Sequence, residues 1–212
     1  MLERDRRPCA MKPWYRRPDN PIKRGFDISL GVFGLLLGAP VFFLIALLIK
    51  LEDGGPIFYI HPRIGRDGKA FPFFKFRTMK VDSDKSGFEI EAGDSRILKI
   101  GHFLRRWSVD EVPQLLNILR GEMSFIGPRP TLGYQVDTYD QRQRGRLAVL
   151  PGVTGLAQVS GRNSLTWPER IELDLQYIEN YSLGLDLWIL MKTFGTVINP
   201  DGIYGHGWEK KT

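Results

Sequence analysis

The strongest constraint on the fold is one uncharged apolar run, residues 28–49, which lies between Asp27 and Lys50. Its 22 residues match the length of a helix that crosses the hydrocarbon core of a bilayer. The run is too long for a signal peptide and lacks a convincing cleavage site. A core helix of a soluble domain is the less favoured interpretation, because such helices rarely need so long a charge-free stretch. We therefore expect one membrane-embedded helix near the N-terminus.

A proline interrupts this run near its middle, in the sequence Gly38-Ala39-Pro40. Proline removes a backbone donor and its ring clashes with the preceding turn, so a kink is expected. A kinked helix can enter the bilayer and return to the same side, whereas a straight helix would cross it. Because proline is also tolerated in crossing helices, the residues alone leave both topologies open.

The formal net charge of +6 is concentrated ahead of the apolar run. Residues 1–27 contain eight Lys and Arg residues against four Asp and Glu residues. A basic flank beside an apolar run is typical of the cytoplasmic side of a membrane. Nucleic-acid binding is disfavoured, because the basic residues belong to no recognisable binding module. The single cysteine, Cys9, excludes an internal disulfide framework.

Two adjacent carboxylates, Asp110 and Glu111, precede an apolar stripe with helical spacing. The stripe consists of Val112, Leu115, Leu116 and Leu119. At a helix start, unpaired backbone N–H groups and the helix dipole keep a carboxylate ionised, which suits a nucleophile or a metal ligand. Ser108 and Glu111 also fit a capping box, in which Glu111 would only bind backbone donors. Asp110 has no such local role in that register, but it would itself be the N-cap if the helix began two residues later. Pro113 near the first turn leaves both registers open.

Arginines flank the acid pair in the sequence. Arg105 lies just before it, and Arg129 follows the helix in the sequence Gly127-Pro128-Arg129-Pro130. The two prolines fix the backbone on either side, so the Arg129 guanidinium is suited to bind phosphate. As a pattern alone, the same sequence also fits a surface turn.

An antiparallel hairpin is predicted from residues 57–63 and 71–77, which are rich in β-forming residues. They flank Asp67-Gly68, a strong signal for a hairpin turn. Lys75 and Arg77 are two residues apart, so they would project from the same face of the ribbon. Such a pair could hold a diphosphate or could form a solvated strand face.

Three further candidates follow residues 127–130, which we call the proline-rich turn. Residues 151–155 are turn-forming and allow a ligand to approach the backbone, and Gln158 and Arg162 supply polar groups just behind them. A helix predicted from a capping box at residues 166–169 places Asp174 on its inward side, where an acid needs a partner. A structural pair with an arginine and a contact to the active site are both open for Asp174.

Residues 183–198 are apolar but are interrupted by Asp186 and Lys192. This pattern favours a helix at the membrane interface over one that crosses the bilayer. A core helix is nearly as well supported by the same residues.

Taken in chain order, these motifs resemble the signature of the bacterial sugar transferases, the monotopic phosphoglycosyl transferases that begin lipid-linked glycan assembly. The resemblance rests on Lys75-Phe-Arg-Thr-Met79, on residues 108–130 and on the sequence of residues 151–158, PGVTGLAQ. It covers about residues 23–199.

The resemblance implies transfer of a sugar-1-phosphate from a nucleotide sugar, with UDP as the expected nucleotide, to polyprenyl phosphate, with release of UMP. Asp110 would form a covalent aspartyl-phosphosugar intermediate, and Glu111 would be a catalytic residue and a ligand of Mg²⁺. Direct transfer in a ternary complex and a non-enzymatic membrane scaffold remain as alternatives. The expected substrate-binding residues are Lys75, Arg77, Arg105, Arg129, Gln158, Arg162 and Asp174.

The resemblance also favours the re-entrant topology, with Ala39-Pro40 at the break where the family usually has Ser-Pro. The expected location is the cytoplasmic face of the bacterial inner membrane. The expected partners are a nucleotide-sugar donor, polyprenyl phosphate and membrane lipid, while nucleic acid is not expected and a homodimer remains open.

The expected fold class is α+β and mainly helical. An N-terminal re-entrant membrane helix, a small β-hairpin and amphipathic interfacial helices would surround a catalytic helix start. The expected divisions are a mobile basic arm at residues 1–22, the membrane helix at 23–50, the catalytic domain at 51–199 and a tail at 200–212.

Overall fold

The computed structural model describes residues 18, 20–81, 83, 94–161 and 164–198, with the backbone alone for residues 196–198. The helices in these ranges are α1 Pro21–Asp53, α2 Lys99–Arg106, α3 Gln114–Arg120, α4 Gly133–Asp137, α5 Leu156–Ser160, α6 Trp167–Glu179 and α7 Leu183–Ile198. The strands are β1 Phe58–Ile64, β2 Ala70–Phe76, β3 Ser124–Ile126 and β4 Gly152–Thr154. This architecture confirms the mainly helical α+β class. Most of the predicted basic arm and the whole predicted tail lie outside the described residues.

Helix α1 extends beyond the predicted segment 23–50 at both ends. Asn20 caps its start by accepting a hydrogen bond from the backbone N of Lys23 at 2.9 Å. Gly54 ends it in the left-handed conformation, with φ of 70°. Helix α1 continues through Ala39-Pro40, so the proline lies inside the helix and does not end it. By length and composition alone, α1 is long and apolar enough to cross a membrane.

The two ends of α1 contact the same folded body. Near the N-terminal end, Lys23 Nζ lies 2.6 Å from Asp186 Oδ2 of α7. At the C-terminal end, Asp53 forms an ion pair with Arg77, which directly follows β2. Between these ends the exposed apolar side chains include Phe33, Leu36, Leu37, Val41, Phe43 and Leu44. Helix α1 is therefore fixed at both ends and uncovered in its apolar middle.

Helix α3 packs its apolar stripe against α1. A Cβ at Gly31 would lie 3.1 Å from Leu119, and one at Gly34 would lie 3.2 Å from Leu115. These two glycines of α1 allow the leucines of α3 to approach its backbone closely. Leu115 and Leu119 of the predicted stripe thus contact α1, and this packing fixes the helix that follows the acid pair.

Strands β1 and β2 form the predicted antiparallel hairpin. Ile64 pairs with Ala70 beside the predicted turn, Arg66–Gly68. The backbone N of Ile64 also donates to the carbonyl of Thr131 at 2.8 Å. This bridge attaches the hairpin to the segment that follows the proline-rich turn.

Strands β3 and β4 form a parallel pair that the sequence analysis did not predict. Ser124 pairs with Gly152, and Ile126 pairs with Thr154. Beyond the pair, the backbone N of Gly127 donates to the carbonyl of Thr154 at 2.9 Å. The pairing brings two motifs together that are distant in sequence, the proline-rich turn and the turn at residues 151–155.

Three glycines make this contact possible. A Cβ at Gly152 would overlap the backbone N of Gly127, and a Cβ at Gly155 would overlap the carbonyl of Gly127. Both overlaps involve main-chain atoms, which cannot move aside as a flexible side chain can. Residues larger than glycine would therefore separate the two motifs.

Replacing Gly152 by alanine tests this packing. We expect Gly152→Ala to lower the free energy of unfolding by about 1–3 kcal/mol, because the added methyl overpacks a main-chain contact. Gly133→Ala is the control, since a Cβ there meets nothing within 4 Å. Thermal unfolding of both variants in detergent measures the difference, and equal stability would contradict the packing argument.

Helices α6 and α7 are the last two elements of the described chain. The predicted capping box of α6 is confirmed, because Thr166 N donates to Glu169 Oε2 at 2.7 Å. In α7, Asp186 is buried against Lys23 and accepts a hydrogen bond from Tyr177 OH at 2.8 Å. The outer side of α7 exposes apolar residues, namely Leu187, Trp188, Met191 and Phe194.

Candidate active site

The acid pair lies on a short 3-10 turn, Val109–Glu111, ahead of α3. Ser108 directly before it has φ of 55°, a left-handed conformation that costs a residue with a Cβ about 1–2 kcal/mol. The side chain of Ser108 makes no capping hydrogen bond, and Pro113 is the N-cap of α3. The predicted capping box is therefore wrong, and Glu111 has a different role.

Glu111 binds two cations from other parts of the chain. Lys75 Nζ lies 2.6 Å from Glu111 Oε1. Arg129 Nη1 donates to Glu111 Oε2 at 3.3 Å, and Arg129 Nη2 also bonds to Oε1. Burial alone would raise the pKa of Glu111, but Arg129 and Lys75 together outweigh it and hold that pKa well below its usual value. Glu111 is thus held as a carboxylate.

The pKa of Asp110 shifts in the opposite direction. Asp110 is 8% exposed, and burial raises the pKa of its carboxyl, although Lys75 opposes this shift. Lys75 Nζ lies 3.5 Å from Asp110 Oδ2, and no hydrogen bond to the Asp110 side chain occurs among the described residues. Asp110 lies on the 3-10 turn directly ahead of α3, so the predicted helix start is only approximate, and its ionisation stays a prediction. Its carboxylate is only weakly engaged by the described side chains.

The hairpin brings Lys75 to the acid pair but directs Arg77 elsewhere. Arg77 is 5% exposed, and its guanidinium binds Asp53 and the carbonyls of Pro56 and Met79. These partners use its donors and attach the end of α1 to the hairpin. The expectation that Lys75 and Arg77 act as a paired clamp is therefore wrong, and Arg77 has a structural position.

Arg105 lies near Asp110 of the acid pair. Its Nε donates to Thr78 Oγ1 at 2.9 Å, and its charge is close enough to lower the pKa of Asp110. Thr78 belongs to the same short motif as Lys75, so the residues after β2 orient Arg105. The predicted proximity of Arg105 to the acid pair is confirmed.

The backbone of Arg129 is bound by Arg146, which belongs to a buried ion pair with Asp174. Arg146 Nη2 donates to the carbonyl of Arg129 at 2.9 Å. Arg146 Nε in turn binds Asp174 Oδ2 at 2.6 Å, and its Nη1 donates to Tyr139 OH at 2.6 Å. The proline-rich turn is therefore fixed by a hydrogen-bonded charge as well as by its prolines.

Asp174 thus acts through Arg146 and does not reach the acid pair directly. It is 1% exposed, and burial raises its pKa to about 6 although Arg146 opposes the shift. The structural alternative considered for Asp174 is confirmed, and its assignment as a substrate-binding residue is wrong. The sequence analysis did not identify Arg146 as that partner. The inward position of Asp174 was the signal that an arginine partner existed.

Gln158 does not join the site. Gln158 Nε2 lies 3.4 Å from the carbonyl of Val153, while its Oε1 is buried near Gly155. These contacts place Gln158 behind the β4 turn, in a position that supports the main chain. Arg162 lies outside the described residues.

The described residues contain no cluster of three or more His, Cys, Asp or Glu side chains suited to a metal ion. At the acid pair, Glu111 already binds Lys75 and Arg129. Mg²⁺ commonly binds through only one or two carboxylates together with substrate phosphates and water. The donor set of Asp110 and Glu111 is compatible with that mode, provided that substrate supplies the other ligands.

Comparison with known proteins identifies the family. The family model for bacterial sugar transferase matches residues 18–200. This chain belongs to that family. The matched range includes α1, the hairpin, the acid pair, the proline-rich turn and the Asp174 ion pair.

Several curated relatives share about 40% of their residues with this chain. The exopolysaccharide production protein ExoY of Rhizobium meliloti is 42% identical over 198 residues, covering 86% of this chain and 88% of the relative. The undecaprenyl-phosphate galactose phosphotransferase of Salmonella typhimurium is 38% identical over 206 residues, covering 89% and 43%. The UDP-N-acetylgalactosamine-undecaprenyl-phosphate N-acetylgalactosaminephosphotransferase of Aeromonas hydrophila is 38% identical over 188 residues, covering 85% and 44%. The chain thus spans less than half of the last two.

The buried ion pair behind Arg129 can be tested by a double-mutant cycle. Asp174→Asn leaves the Arg146 guanidinium buried without its counter-charge, so we expect a loss of about 3–5 kcal/mol in the free energy of unfolding. Arg146→Met combined with Asp174→Asn removes that uncompensated charge and should recover part of the loss. Denaturant unfolding in detergent provides the four free energies. Additive losses would show that the two side chains do not depend on each other.

Proposed function

We propose that this protein transfers a sugar-1-phosphate from a UDP-sugar to polyprenyl phosphate and releases UMP. The observation that carries the proposal is the weakly engaged Asp110 beside a Glu111 held by Lys75 and Arg129. The names of the Salmonella and Aeromonas relatives support undecaprenyl phosphate as acceptor, and the Aeromonas name supports a UDP-sugar donor. The product would begin a lipid-linked glycan, such as an exopolysaccharide, an O-antigen or the glycan of a glycoprotein.

In the first step, an Asp110 carboxylate oxygen attacks the phosphorus that carries the sugar. The bond from that phosphorus to the bridging oxygen breaks, and UMP leaves with the electron pair. The product on the enzyme is an acyl phosphate between Asp110 and the phosphosugar. Arg129 and Lys75 lie where they can offset the negative charge on the phosphate oxygens.

In the second step, a phosphate oxygen of the polyprenyl phosphate attacks the same phosphorus. The acyl phosphate bond breaks, and Asp110 returns to a carboxylate. The lipid now carries a diphosphate linked to the sugar, so atoms and charges balance over the two steps.

The engagement of the two acids supports this division of roles. Glu111 has both oxygens bound to cations, so an attack by Glu111 would first require those bonds to break. Within the described ranges, the Asp110 carboxylate has only the 3.5 Å contact with Lys75. Asp110 is therefore the better nucleophile, while Glu111 orients the cations and could contribute one oxygen to Mg²⁺. Such an ion, when bound, neutralises charge on the diphosphate.

We also infer that α1 enters the membrane from the cytoplasmic face of the inner membrane and returns to it. The contacts of both its ends with one folded body support this topology, as does Pro40 inside its exposed apolar middle. The exposed apolar side of α7 would rest on the same membrane surface.

Two rival functions make different predictions. Direct transfer in a ternary complex needs no covalent adduct, and a membrane scaffold needs no acid pair among cations. Burying Asp110 beside a second acid lowers the free energy of unfolding, and the function of a scaffold does not require such a pair. A covalent adduct distinguishes the proposed mechanism from direct transfer.

The nucleophile can be identified by mass spectrometry of enzyme quenched with donor in the absence of lipid acceptor. We expect wild type to carry a phosphosugar on Asp110. Asp110→Asn should carry none, because it has no anionic oxygen, and Asp110→Glu should lose roughly a hundredfold in rate because its oxygen is displaced by about 1 Å.

Two variants serve as comparisons for this experiment. Asp137→Asn changes an exposed acid of α4 and should form adduct as wild type does. Glu111→Gln should slow turnover and weaken Mg²⁺ dependence, while some adduct forms at high metal concentration. An adduct on another residue, or none under conditions that support turnover with acceptor, would favour direct transfer.

The topology can be tested by cysteine labelling in a Cys9→Ser background. Tyr15→Cys reports on the N-terminal side of α1, and Lys69→Cys reports on the hairpin. We expect an impermeant reagent to label both only after the cytoplasmic side is opened. Labelling of position 15 alone from the periplasmic side would mean that α1 crosses the membrane.

A further inference from the structure

Arg63 of β1 is a basic residue that lies on the same face of the hairpin as Lys75. The register pairs Tyr59 with Lys75 and Arg63 with Phe71, and side chains two residues apart share a face. The Arg63 guanidinium lies 5.5 Å from the Phe73 ring centroid, and Lys75 Nζ lies 5.6 Å from the same centroid. Arg63 and Lys75 therefore contact one ring, and Lys75 continues to the acid pair.

The guanidinium of Arg63 lacks a counter-charge. Its Nε is buried without a hydrogen-bond partner, and Arg63 forms no ion pair within the part of the chain described. Burial lowers the pKa of Arg63, and repulsion from Arg129 lowers it further, whereas the charge of Glu111 is near enough to oppose this. Arg63 is half-buried, and buried polar atoms normally have a partner, so its unpaired Nε beside another arginine is suited to bind an anion.

The charges around the acid pair point to the same conclusion. Four cationic side chains, those of Lys75, Arg105, Arg129 and Arg63, act electrostatically on Asp110 or Glu111. With both acids ionised, the cations still exceed the anions by about two charges. A phosphate or diphosphate carries that amount of negative charge and offers oxygens that match a guanidinium fork.

We propose that Arg63 is a substrate-binding residue that contacts phosphate oxygens at the edge of the active site, between the Phe73 ring and the Arg129 turn. The proposal rests on the proposed function, in which two phosphate compounds enter this site. Both the diphosphate of the donor and the phosphate of the lipid have the required chemistry. The two half-reactions distinguish these sources.

The test uses full-length Arg63→Gln and Arg63→Lys, with Arg66→Gln as the matched control. Arg66 lies on the hairpin turn, its side chain is 40% exposed, and its acidic neighbour Asp67 lies 3.8 Å away. We measure the rate of UMP release with donor alone, and then the rate at which undecaprenyl phosphate discharges the preformed adduct. Thermal unfolding of each variant accompanies the rates.

We expect Arg63→Gln to slow one half-reaction by about 10- to 100-fold, as for the loss of a hydrogen bond between charged groups. A slower first half-reaction with a higher KM for donor assigns Arg63 to the donor diphosphate. A slower discharge assigns it to the lipid phosphate. Arg63→Lys keeps the charge but loses the fork, so it should fall between wild type and Arg63→Gln. Arg66→Gln should match wild type.

Wild-type rates in both half-reactions of Arg63→Gln would overturn the proposal, as would equal losses in Arg63→Gln and Arg66→Gln. If Arg63→Gln unfolds, wild-type rates in the folded Arg63→Lys variant would overturn it.

Calorimetric titration with inorganic pyrophosphate gives a readout that needs no turnover. If wild type releases no UMP from any donor, the proposed function fails. A weaker binding of pyrophosphate by Arg63→Gln would then still support the phosphate contact, and unchanged binding would refute it.

Discussion

Glu111 is the residue on which the candidate site depends, because its carboxylate joins cations from two other segments. Lys75 is 36 positions away in sequence, and Arg129 is 18 positions away. Without Glu111, these cations would repel each other and Arg63, with no acid but the buried Asp110 between them. In the proposed mechanism the same ion pairs would affect the chemistry, because an entering phosphate would compete with Glu111 for the Lys75 and Arg129 donors. The cations are positioned before substrate binds and would reach substrate by exchanging partners.

Main-chain packing makes this exchange possible without displacing Arg129. Gly127 and Gly152 allow the two turn motifs to touch, and Arg146 binds the carbonyl of Arg129. The guanidinium end of Arg129 can change partners while its backbone remains fixed on the other side. A residue held in this way loses little conformational entropy when a phosphate binds, so more of the contact energy is available for binding and catalysis.

Features with a local signal were predictable from the sequence, and features that depend on distant partners were not. The hairpin turn at Asp67-Gly68 and the Thr166 capping box each carry their signal within four residues. Strands β3 and β4 have three residues each, too few for alternation to appear. Strand alternation indicated a face for Arg77, but its partner Asp53 is 24 positions away. The acid pair was recognised as a motif, whereas the opposite directions in which the pKa values of its two members shift depend on burial and on the positions of Lys75 and Arg129.

The anchoring of α1 follows the same rule, since polar contacts at its ends constrain it as strongly as the proline at its middle. The side chains of Lys23 and Asp186 are only 6% and 10% exposed, so separating them would leave a buried charge at a cost of about 3–5 kcal/mol. A proline inside a helix disfavours the straight form by about 3 kcal/mol. The two terms are comparable, and in the proposed topology both would oppose a straight crossing. Ala39 provides no side-chain hydroxyl for the backbone N–H and C=O groups near Pro40, so that topology would depend on the contacts at the ends of α1.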